Sequence, residues 1–86
     1  MEADMMVYVS TIIKDDFQGG IEYCRIGNVW ANRQQARIAL ANTVEVYENL
    51  HGCHIVKEEE TKDYSYVCVT NGRDTYHLEI FPRELL

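Results

Sequence analysis

The chain has 86 residues, 47% of them hydrophobic and 26% charged, which suits a single globular domain, residues 1–86, and excludes a disordered or low-complexity chain. Fourteen acidic against eight basic side chains leave a net charge of −6, which repels phosphate backbones, argues against direct nucleic-acid binding and favours a basic protein as partner. No apolar run reaches the roughly 18 residues of a membrane span, the opening MEADMM is acidic where a secretory leader is basic, and three cysteines without CxxC spacing suit reduced thiols, so the expected setting is cytoplasmic and off the membrane.

In chain order, the β-branched and aromatic run MMVYVSTII (5–13) predicts a first strand. KDDFQGG then turns the chain into a second strand over 21–26, which Gly27-Asn28 interrupts. A helix follows from about Arg33. Asn32 can cap its first-turn amides, with Gln35 in the capping-box position. Ala36, Leu40, Thr43, Val44, Tyr47 and Leu50 recur at three- and four-residue spacing and predict the sheet-facing stripe. Gly52 falls just past the last periodic position, where a left-handed C-terminal cap favours a residue without a β-carbon.

The cluster LHGCHIV (50–56) therefore reads as helix termination rather than a metal site. CHIVKEEE continues as a third strand, and adjacent strand residues such as Cys53 and His54 point to opposite faces. YSYVCVT forms a fourth strand and TYHLEIF a fifth, which Pro82 is expected to end. For the NGRD connection, a four-residue loop sets Val69 against Tyr76 and Val67 against Leu78, a better apolar pairing than a two-residue turn allows. Val67, Val69, Tyr76, Leu78 and Ile80 then face the helix. The expected fold class is α+β, in the order β-β-α-β-β-β, a mostly antiparallel sheet with one helix packed on one face.

The same register puts Cys68 opposite His77 on the outer face, with Glu79 two positions along. These are the residue types of a nucleophile triad, but a flat sheet supplies neither an oxyanion hole nor a water-excluding pocket, so no catalytic residue is assigned. No pair of cysteines or histidines has a zinc-knuckle spacing and no phosphate-binding glycine motif occurs, so no metal or cofactor is expected. One helix covers one face of a five-stranded sheet and leaves the other open. Tyr64, Tyr66 and Phe81, joined by Tyr8 and Ile12, are expected to project from that open face and to mediate homodimerisation. Glu58, Glu59 and Glu60 are the candidate contact for a basic partner.

MVYVSTI, a glycine-containing loop, VWANRQQA opening a helix, and YVCVTNGRDTYHLEIF closing the chain together resemble small α+β proteins of gut bacteria and their phages. The resemblance implies the fold class and brings no catalytic residue with it. In size and charge the chain also resembles acidic phage inhibitors that mimic nucleic acid. The expected function is thus a non-enzymatic protein–protein interaction module that self-associates, with an acidic inhibitor binding a basic host protein as the alternative and a Cys/His thiol enzyme as a remote third.

Overall fold

The computed structural model describes residues 5–15 and 20–85. The elements are β1 (Met5–Asp15), β2 (Ile21–Trp30), α1 (Arg33–His51), β3 (His54–Glu60), β4 (Ser65–Thr70) and β5 (Thr75–Leu85). The strands form one five-stranded sheet in the order β2-β1-β5-β4-β3, and every neighbouring pair is antiparallel. The α+β class is therefore observed. The two strands that flank α1 in sequence lie on opposite edges of the sheet. A 19-residue helix is about 28 Å long at 1.5 Å per residue, enough to cross four strand spacings of about 4.8 Å.

Local chemistry sets the ends of α1. Asn32 has extended backbone and its side-chain oxygen accepts from the Gln35 amide at 2.9 Å, while Gly52 adopts φ 67°, ψ 23° and its amide reaches the Tyr47 carbonyl. Arg33 ties the first turn to the sheet by donating to the Thr61 carbonyl at 2.7 Å and to Ser65 Oγ at 3.3 Å. Its neighbour Arg37 pairs with Glu60 at 2.9 Å. Ala36, Val44 and Tyr47 are buried beneath the helix, as the periodicity predicts, but Leu50 at the end of the stripe is exposed.

The core joins Val44, Tyr47 and Cys53 to Val67, Val69, Tyr76 and Leu78, with Ile12 and Leu40 packed against it. Val69 lies opposite Tyr76 and Val67 opposite Leu78, the pairing of the four-residue loop. At β3, Cys53 is in the core, Ile55 pairs with Val69 on the helix side, and His54 is exposed.

Three strands run past their predicted ends. β1 continues to Asp15, and β2 to Trp30 across Gly27, where a bulge absorbs the break in pattern. β5 continues through Pro82, which pairs with Tyr8. Because β4 begins at Ser65, opposite Ile80, the final stretch of β5 has β1 as its one partner, and proline is tolerated where the other side of a strand is unpaired.

Gly27 is glycine for lack of room. A β-carbon there would stand 2.8 Å from Ser10 Oγ, which already accepts from the Asn28 amide at 3.0 Å. Gly27→Ala should swing the Ser10 hydroxyl away and lose that bond, lowering stability by about 1 kcal/mol in a urea titration. In the Ser10→Ala background the obstructing oxygen is gone, and the same substitution should cost clearly less.

Candidate functional site: the uncovered face of the sheet

With α1 on one side, strand alternation assigns every second residue to the other, open side. On β5 and β4 these are His77, Glu79, Phe81, Tyr66 and Cys68. On β1 they are Val7, Val9, Thr11, Ile13 and Asp15, the partners of Arg83, Phe81, Glu79, His77 and Thr75. Tyr8 and Ile12 were expected here and belong instead to the helix side. Ile12 pairs with Leu78 and packs on the core, and Tyr8 pairs with Pro82, one position out of phase with Phe81. The physical reason is the β1–β5 register, which adjacent sequence does not encode.

Two bulges in β2 add to the open face in a way a simple alternation hides. Ile21, Cys24, Ile26 and Val29 stand opposite Asp15, Ile13, Thr11 and Val9, so all four share the open side although two of their spacings are three residues. Ile21, Ile26 and Val29 are each more than 60% exposed. Along β2, β1 and the end of β5 the open face is thus aliphatic and aromatic, with Phe81 half-buried beneath the Arg83 guanidinium at 4.4 Å.

Toward β4 the face becomes a hydrogen-bonded lattice. Tyr64 donates to the Glu79 carboxylate at 2.6 Å. His77 lies 2.9 Å from Asp15 Oδ2 through Nε2 and 2.7 Å from the Tyr66 hydroxyl through Nδ1, and its ring stacks on that of Tyr66. The carboxylate can only accept, so Nε2 carries a proton, and in the neutral imidazole Nδ1 accepts from the phenol. Tyr64 and Tyr66 are half-buried and their polar tips are satisfied within their own chain.

Cys68, His77 and Glu79 are brought side by side as the register requires, but they are not linked as a triad. Both imidazole nitrogens engage Asp15 and Tyr66, the Glu79 carboxylate engages Tyr64, and the Cys68 thiol is buried. Cys53 is also buried, and burial raises its thiol pKa, with a smaller push from Asp74. Cys24 is exposed on the β2 rim. A disulfide reagent such as DTNB should therefore titrate one thiol rapidly in the native protein, and the other two only as it unfolds. Loss of the fast phase in Cys24→Ser assigns it, whereas a fast native phase persisting in that variant contradicts this placement.

The phenols respond to the same surroundings. Burial, then the Cys68 thiol and the Glu79 and Glu59 carboxylates, push the Tyr66 pKa up from 10.0 to about 12. Tyr64 is raised as well, by burial first and by its bond to Glu79 second. A folded-state pKa above the unfolded value contributes stability that is fully present below pH 10 and is lost as pH rises toward 12. Stability followed by circular dichroism should fall across that window, and Tyr66→Phe should flatten part of the fall.

The acidic run does not act as one patch. Glu58 and Glu60 pair with Val67 and Ser65 on the helix side, whereas Glu59 pairs with Tyr66 on the open side. Glu60 is held by Arg33 and Arg37, and Glu59 by Lys57 at 3.5 Å. Among the described residues, no group of three or more His, Cys, Asp or Glu side chains converges as metal ligands, and no helix is long and apolar enough to cross a membrane. Compared with protein-family models, curated proteins and solved structures, the chain matches none of them.

Sequence reasoning named Tyr64, Tyr66 and Phe81 for this face, and all three lie on it. It missed Asp15, 62 residues from His77 in the chain, and the β2 aliphatic residues, whose phase depends on the bulges. No local signal carries either; both require the pairings of β1.

Proposed function

We propose that the protein is a non-enzymatic interaction module that forms a homodimer by packing the uncovered sheet faces of two copies against each other. One observation carries this reading: Val29 stands exposed beside Val9 and Phe81, with Ile26 and Ile21 exposed further along β2 opposite Thr11 and Asp15, on a face that α1 does not cover. The molecule measures 48 × 23 × 19 Å, so its broad side offers roughly 1,000 Å², against the roughly 800 Å² per partner typical of a stable interface. Neither edge favours strand addition. β3 presents Lys57, Glu58, Glu59 and Glu60 in sequence, and β2 is interrupted by two bulges, both devices that discourage edge-to-edge pairing.

The reading is tested by sedimentation equilibrium from micromolar to millimolar protein. A mass that climbs toward twice the monomer value supports the dimer; a monomer mass throughout that range removes it.

A further inference from the structure

Given the self-association proposed above, we infer that the Asp15–His77–Tyr66 chain links it to pH, so that protonation of the His77 imidazole tightens the dimer. Among the described strand residues, the open side carries three carboxylates, Asp15, Glu59 and Glu79, against two cations, Lys57 and Arg83, and two imidazoles, His77 at its centre and His54 at the rim, opposite Thr70 on β4. With both imidazoles neutral each face is one charge negative, and bringing two such faces together buries like charges. A proton on His77 brings each face to neutrality.

Geometry makes that proton acceptable where it is bound. The imidazolium would sit 2.9 Å from the Asp15 carboxylate, as a close ion pair, and its second N–H would point to the Tyr66 hydroxyl at 2.7 Å. That hydroxyl can accept as readily as it donates, so the phenol turns over and no hydrogen bond is lost in either state. The remaining neighbours are consistent with the sign. Glu79 on the same strand adds negative charge, Cys68 on β4 and Ile13 on β1 stand directly opposite, Cys24 on β2 lies beyond Ile13, and Lys57 and Glu59 on β3 offset each other. In the isolated chain the His77 and Asp15 side chains are about one-quarter and one-third exposed, so water screens them. Packing of a second copy removes that water and strengthens the preference for the neutral pair over a lone carboxylate.

The experiment measures the dimer dissociation constant by sedimentation from about pH 8 to about pH 6, for the natural sequence and for His77→Gln. The expected result is association about tenfold tighter at the lower pH for the natural protein and little change for His77→Gln. Because that variant also removes the bonds to Asp15 and Tyr66, a second measurement uses the unaltered chain. Dilution calorimetry near neutral pH in phosphate and in Tris buffer should show net proton uptake on association. A natural protein that dimerises with the same pH slope as His77→Gln, or without proton uptake, overturns the inference and leaves the dimer standing. A protein that is monomeric at every pH fails at the earlier step, the association itself.

Discussion

Leu78→Ala is expected to cost about 3 kcal/mol of folding stability, read as a fall in the urea midpoint at unchanged slope. Leu78 is 1% exposed on the central strand, between Ile12 on β1 and Val67 on β4 and within the cluster that receives Val44 and Tyr47 from the helix. Truncating it leaves a cavity walled by strands that are hydrogen-bonded on both sides and cannot collapse into it. Stability of about 0.05 to 0.15 kcal/mol per residue gives a chain of this length roughly 4 to 13 kcal/mol, so the substitution removes a large share. Leu50→Ala supplies the contrast: Leu50 is 74% exposed, and its loss should change stability by less than about 0.5 kcal/mol. Because dimer formation adds apparent stability by mass action, both variants should be compared at one low concentration.

Ile26→Asp should weaken self-association by at least about 100-fold, measured as the dimer dissociation constant. Ile26 is 68% exposed in the single chain, in the middle of the aliphatic row of β2, so a carboxylate there costs little until a second face is packed against it. Two such charges would then be desolvated on an interface that already carries Asp15, Glu59 and Glu79. The same change at Ile38, 55% exposed on the helix, alters net charge equally but lies off the open face and should leave the dimer intact. Equal effects at the two positions would point to general charge repulsion; an effect at Ile38 alone would move the interface to the helix. The unfolding midpoint of Ile26→Asp in the monomeric range should stay within about 0.5 kcal/mol of the natural protein, which separates loss of contact from loss of fold.

The alternative of an acidic mimic acting through Glu58, Glu59 and Glu60 has less to stand on once the strand is in place. Alternation sends Glu59 to one side and its neighbours to the other, and Arg33, Arg37 and Lys57 engage two of the three carboxylates. A charge run that reads as a unit in one dimension is divided by the pleat.

The amino-acid sequence by itself determined the features that rest on local chemistry. Asn32 and Gly52 mark where the helix starts and stops because capping involves atoms a few residues apart. The alternation of Val67, Val69, Tyr76, Leu78 and Ile80 specifies a buried face and favours the four-residue loop between β4 and β5, since the two-residue turn would set Asp74 opposite Val69. What lay beyond reach was everything decided by the neighbours of β1. Pairing of β1 with β5 turned Tyr8 and Ile12 to the helix side and brought Asp15 to His77. The bulges against β2 placed Ile21, Cys24, Ile26 and Val29 in one row. A shift of one residue in register, or one extra residue in a bulge, reverses which face a side chain occupies, and the energy that selects among these alternatives comes from contacts between segments far apart in the chain.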